Sequence, residues 1–121
     1  MNVQEERIAT TLPARYYTDP EVFNDELERF YCQTWICAGR ADQIPATGDY
    51  FLRELAGESV IVVRDNSETV QSFFNVCRHR GTRICAVAEG RFAGRIQCGY
   101  HGWTYGLDGR LIGAPHMHES F

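Results

Sequence analysis

"NVCRHRG", residues 75 to 81, places a thiol (Cys77), an imidazole (His79) and a glycine (Gly81) within five positions, with Arg78 and Arg80 between them. "CGYHGW", residues 98 to 103, offers the same ingredients again as Cys98, His101, Gly102 and Trp103. Each stretch follows directly on an apolar, β-type run, "SFFNV" or "RIQ", so each is expected to be a loop at a strand end. Hairpin connections can carry two such loops to one end of a sheet. The reading of the whole chain turns on whether they build one site.

Outward from the loops, the pattern from Thr34 onward is one of short β-type runs: "TWICAGR", "GDYFLREL", "ESVIVVRD", "TVQSFFNV", "RIQCGY", "WTYGLD" and "RLIGA". Turn signals separate them at Pro45 to Gly48, Ala56-Gly57, Asn66-Ser67 and Asp108-Gly109. Asp-Gly between "TYGL" and "RLI" predicts a hairpin with a type I′ turn, in which both central residues need positive φ. Upstream, "TDPEVFNDELERFY" predicts one helix over roughly 20 to 32. Thr18 and Glu21 fit a capping box, Pro20 suits the first turn, and Phe23, Leu27, Phe30 and Tyr31 form a stripe expected to lie on the body of the domain. Residues 1 to 17 read as an irregular lead-in. The expected fold is mainly antiparallel β, a small sandwich or barrel with one N-terminal helix.

Composition narrows the function. A chain of 121 residues supports one domain with a modest core, and 44% hydrophobic with 23% charged residues is ordinary for a globular protein. All twelve basic residues are arginine, so a Walker-type phosphate loop and a Schiff-base lysine are both excluded. Arg78, Arg80, Arg83, Arg91 and Arg95 cluster between the loops, but a net charge of -4 and the lack of base-stacking motifs argue against nucleic acid. A solvated rim or a docking surface for an acidic redox partner is the expectation. No stretch approaches the roughly 18 apolar residues of a membrane helix, and the N-terminus lacks the layout of a secretory signal, so a cytoplasmic setting is expected. Five cysteines, an odd number, do not form the even framework of a secreted disulfide domain. Cys32, Cys37 and Cys85, outside the loops, are read as buried small hydrophobes.

Cys77, His79, Cys98 and His101 make a Cys2His2 set with eighteen residues between His79 and Cys98. Three readings compete. Structural zinc accepts such a set, but zinc fingers keep like ligands together, whereas each loop here mixes one Cys with one His. A Rieske-type 2Fe-2S centre, in which two histidines replace two cysteines on one iron, accounts for mixed loops directly. A Cys/His nucleophile lacks a third group to orient the base.

"CRHRG" and "CGYHGW" resemble the cluster loops of the Rieske non-haem iron ring-hydroxylating oxygenases, in the N-terminal domain of their large (alpha) subunit. "YYTDPEVFNDELERFYCQTWICAGRADQIPATGDYF" is similar to that family's opening helix and first strands, and "CGYHGWTYGLDGRL" to its second loop and following hairpin. The resemblance implies a Rieske-type β fold with two cluster-binding loops, with Cys77 and Cys98 on one iron and His79 and His101 on the other. Arg80, Gly81, Gly102 and Trp103 would surround the cluster, the glycines letting backbone N–H groups approach the sulfurs and Trp103 limiting water. Tyr105 would extend that cover or act as an ordinary strand aromatic.

The resemblance also implies a role. Two ferric irons, two sulfides, two thiolates and two neutral imidazoles sum to zero charge, which eases reduction and places the potential in a range of about -150 to +300 mV. Tyr100 stands where respiratory Rieske proteins carry an extra cysteine, so the lower end is expected. Electrons would come from an NAD(P)H-dependent reductase or a ferredoxin and pass to a mononuclear iron in the family's catalytic domain, which this chain does not include; the resemblance also implies the homotrimer common in the family as the assembly to expect of the full-length protein. The implied division is a lead-in and helix over 1–33, the Rieske domain over 34–115, and the start of a connector over 116–121. His116, His118 and Glu119 carry the residue types of a facial triad, but three ligands within four tail residues with no sheet behind them read better as connector. Electron transfer without oxygenase activity is therefore expected of the chain alone. The alternatives are a stand-alone Rieske ferredoxin, which usually lacks the helical lead and the His-Arg-Gly sequence, and a structural Cys2His2 zinc domain.

Overall fold

The computed structural model describes residues 10–115 and residue 117, so His116, His118 and Glu119 lie outside the described residues. The chain divides into two compact units, Met1–Trp35 and Ile36–Phe121.

In the first unit a single turn of helix, α1 (Arg15–Thr18), precedes α2 (Pro20–Glu26), which runs on into a π-helical turn over Leu27–Tyr31. The expected helix is thus present, but its cap is Asp19, not Thr18. The Asp19 carboxylate accepts the Glu21 N–H (2.9 Å), with Pro20 in the first turn. The Thr18 hydroxyl instead bonds back to the Ala14 carbonyl, because α1 has already engaged Thr18 in a helical turn. No residue of these helices is buried, so the stripe Phe23, Phe30 and Tyr31 remains exposed.

The second unit is built on seven strands: β1 (Asp49–Leu55), β2 (Glu58–Arg64), β3 (Val70–Phe74), β4 (Glu89–Arg91), β5 (Arg95–Gln97), β6 (Thr104–Gly106) and β7 (Leu111–Gly113). They form a four-stranded sheet in the order β3-β2-β1-β4 and a three-stranded sheet in the order β5-β6-β7, antiparallel throughout. Alternation along β1 and β2 sorts their side chains between two cores. Tyr50, Leu52, Ile61 and Val63 face a larger core with Cys77, Cys85, Ile96, Cys98, Tyr105 and Leu107, whereas Phe51, Val60 and Val62 face a smaller one with Ala38 and Ile44. Fully buried aliphatics such as Ile61, Val63 and Leu107 each contribute about 1.5 to 3 kcal/mol.

Two expectations change, and one strand has no counterpart in the sequence pattern. "TWICAGR" is not a strand: Arg40 and the following 3-10 turn (Ala41–Gln43) form an irregular segment that Arg64 pins through the carbonyls of Ile44 and Ala41. Its aromatic and β-branched content looked like a strand, but no strand pairs with it. β4 has no apolar alternation and all three residues are exposed, so sequence pattern does not reveal it. The Asp108-Gly109 hairpin is not type I′, since of the two only Gly109 has positive φ (84°). Gly106 accepts the Gly109 N–H and donates to the Arg110 carbonyl, which closes a three-residue loop and leaves Leu107 in the core. The type I′ geometry lies instead at Ala56-Gly57, with φ of 51° and 84° between the paired residues Leu55 and Glu58.

Candidate metal centre

Cys77 to Gly81 and Cys98 to Gly102 are the same five-residue loop built twice. In each, the cysteine carbonyl accepts the glycine N–H four residues on, at 2.9 Å for Gly81 and 3.1 Å for Gly102. In each, the cysteine N–H donates to the carbonyl five residues on, at Thr82 (2.7 Å) and Trp103 (2.8 Å). Both glycines close the turn with positive φ, 70° and 73°, the region where a side chain is strained. The loops differ in where the imidazole stands, two residues after the cysteine in the first and three in the second. Loop 1 leaves β3 of the larger sheet, and loop 2 links β5 to β6 of the smaller one, so the two sheets each supply one loop.

The base of loop 1 is fixed by Asn75, which is buried. Its side chain accepts the N–H groups of Ile84 (3.1 Å) and Cys85 (2.8 Å) and donates to the Cys85 carbonyl (2.8 Å). One amide thereby ties the strand entering the loop to the segment leaving it. Arg83 adds bonds to the Cys85 carbonyl, Glu54 and Ser59.

The loops meet. The rings of His79 and His101 lie edge to face with centroids 4.7 Å apart. Cys77 and Cys98 are both buried in one core. Burial alone would push the Cys77 thiol up, but bonds from the Tyr105 hydroxyl, the N–H of His79, the Cys98 thiol and the N–H of Arg80 outweigh it, and the net direction is down. Gly81 spends its own N–H on the Cys77 carbonyl and closes the turn.

Tyr105 belongs to the site as well. Its oxygen lies 3.3 Å from the Cys77 sulfur and accepts the Arg78 N–H (3.2 Å), and it donates to the sulfur wherever Cys77 is a thiolate. Burial, with the Cys77 contact second, pushes the phenol up to about 12, so it stays protonated as the donor. Sequence offered it only as a cover or a strand aromatic. Trp103 lies flat on His79, centroids 4.8 Å apart and planes within 5°, whereas the exposed Tyr100 leans on His101 at 3.7 Å.

The donor set fits a two-iron centre. The Nδ1 atom of His79 is buried with no hydrogen-bond partner, the state of a nitrogen aimed at something other than protein. Among the described residues no three His, Cys, Asp or Glu side chains converge on one ion position. The arrangement is a thiol pair and an imidazole pair, which a cluster with unlike irons requires and a single tetrahedral ion does not.

Of the remaining cysteines, Cys85 is buried as expected, but Cys32 and Cys37 are exposed. The arginines between the loops separate too: Arg83 pairs with Glu54 and Arg91 with Asp49, while Arg78, Arg80 and Arg95 are exposed without an ion pair among the described residues. No helix among the described residues is long and apolar enough to cross a membrane.

Two sheets presenting paired Cys/His loops define a β domain of the iron-sulfur class. The chain belongs to the Rieske [2Fe-2S] domain family, which residues 34–121 match. Its relatives are oxygenase subunits. The glycine betaine monooxygenase oxygenase subunit of Chromohalobacter salexigens is 43% identical over 92% of this chain and 25% of its own length. The biphenyl 2,3-dioxygenase subunit alpha of Rhodococcus jostii is 39% identical over 91% of this chain and 24% of its own. Among solved structures, the quaternary ammonium Rieske monooxygenase CntA superposes with a TM-score of 0.86 at 34% identity, over 94% of this chain and 32% of that one. The chain therefore spans about a quarter of the length of the curated relatives it matches.

Proposed function

We propose that the chain is the electron-transfer domain of a ring-hydroxylating-type oxygenase, with Cys77 and Cys98 holding one iron of a 2Fe-2S cluster and His79 and His101 the other. The observation that carries this reading is the orphaned, buried Nδ1 of His79, on a ring whose centroid lies 4.7 Å from that of His101, with both loop thiols buried in one core. The cluster supplies a one-electron couple near the lower end of the Rieske range. Around it, Arg80 and Tyr105 donate to the Cys77 sulfur, Gly81 and Gly102 close the loops, and Trp103 shields the His79 ring from water.

In this reading the donor is an NAD(P)H-dependent reductase or a ferredoxin, and the acceptor is a mononuclear iron in a catalytic domain of the full-length protein. Residues 1–33 serve as its lead-in, 34–115 as the redox domain and 116–121 as the start of the connector, within a homotrimer. We place this work in the cytoplasm, whose reductants suit a site resting on free thiols.

Replacing His101 by Cys tests the ligand assignment. A 2Fe-2S spectrum should persist while the reduction potential falls, because a thiolate brings negative charge where imidazole brought none. An unchanged potential would remove His101 from the ligand set.

A further inference from the structure

A groove of about 530 Å³ is lined by Val76 and Arg78, the two neighbours of Cys77, and by neither His79 nor His101. Val60, Ile61, Phe73, Phe74, Val76 and Ile84 form most of its wall, and Tyr105 forms part of its lining. Tyr105, whose hydroxyl lies 3.3 Å from the Cys77 sulfur, thus forms part of the wall of an apolar groove.

Three observations specify an occupant. The first is charge: the only charged residue lining the groove is Arg78, with no carboxylate among the lining residues. Arg78 and, two residues on, Arg80 are exposed and make no ion pair among the described residues, although the chain as a whole carries a net charge of -4. The second is exposure: Phe74 is 62% and Val76 42% exposed, side chains that water solvates poorly. The third is position, since this surface ends one hydrogen bond from a proposed ligand.

We propose that this groove, with Arg78 at its mouth, is the docking surface for an acidic one-electron carrier protein, which delivers its electron from the thiol side of the site. The inference rests on the electron-transfer reading above and adds the side of entry and the charge of the partner. The carrier is oxidised by one electron as the centre held by the two loops gains one; no bond forms or breaks and no proton is required. Entry at Cys77 leaves the face of His79 and His101 clear for a separate exit.

The test uses the cluster-loaded chain and a plant-type ferredoxin as the acidic probe, at low ionic strength. Calorimetric titration should show binding that Arg78→Glu and Phe74→Ser each weaken about tenfold. Arg95→Glu, at the end of β5 away from Cys98, should leave it unchanged, and the basic carrier cytochrome c should not bind. The rate of reduction by the reduced ferredoxin should follow the same order, while all variants keep the wild-type cluster spectrum and reduction by dithionite. Equal losses in all three variants, no effect in any, or a wild-type chain that neither binds ferredoxin nor accepts its electron would overturn the docking surface while leaving the cluster reading intact. A chain that takes up no cluster would overturn both.

Discussion

The Tyr105 hydroxyl and the Cys77 sulfur stand 3.3 Å apart, and a cluster-bound Cys77, a thiolate with no proton of its own, makes the phenol the donor of the pair. A donor at the sulfur stabilises the more negative, reduced state of the centre. Tyr105→Phe should therefore lower the reduction potential, by about 40 mV if the bond is worth about 1 kcal/mol in a one-electron couple. Protein-film voltammetry measures this, and an unchanged or higher potential would show that the phenol does not donate to Cys77.

Asn75 satisfies two buried N–H groups and one carbonyl with a single side chain. Asn75→Ala would leave the Ile84 and Cys85 N–H groups unpaired beneath loop 1, while the Cys85 carbonyl keeps its bond from Arg83, and the expected loss is about 2 to 3 kcal/mol in urea unfolding. Asn75→Asp should recover part of it, since a carboxylate still accepts from Ile84 and Cys85.

Gly81 has open space around the position of a Cβ, so Gly81→Ala isolates the strain of a positive φ, 70°. The expected cost is about 1 to 2 kcal/mol. Gly102→Ala adds only a contact with Pro115 at 3.5 Å and should behave alike. A clear difference between the two would mean that the loops are not equivalent in their closure.

Asp65 accepts from Gln71, Ser67 and Thr69 in the turn between β2 and β3, and these bonds, led by that of Gln71, hold its carboxyl near 2. An unfolded Asp titrates at about 3.9. The folded state therefore binds the proton less readily, so the contribution is complete above pH 4 and is lost as pH falls toward 2. Asp65→Asn should lower the melting temperature at pH 7 and flatten its decline between pH 4 and 2; parallel declines in both proteins would assign the acid sensitivity to other groups.

Much of this architecture was legible because two runs speak clearly. The β-type runs "YFLREL" and "VIVVR" mark β1 and β2, although a run of four apolar residues does not say that Ile61 and Val63 face one core and Val62 the other. The four Cys and His positions stand out by residue type, and their pairing follows from the mixed order within each loop. What stayed hidden depends on partners distant in sequence. β4 exists only because Asp49 to Phe51 pair with it, and no property of "EGR" announces that. Asn75 sat in the opening heptapeptide without a role, since its targets are nine and ten residues further on. The Ala56-Gly57 turn was visible as a break, but its type was not, because alanine is a rare choice for positive φ.

The central claim, that two mixed loops hold a two-iron cluster, is tested most directly on the purified chain by visible and electron paramagnetic resonance spectra together with metal and sulfide analysis. The account predicts a coloured protein with iron and acid-labile sulfide in equal amounts and a resonance that appears on one-electron reduction. A colourless, spectroscopically silent protein containing zinc would contradict it.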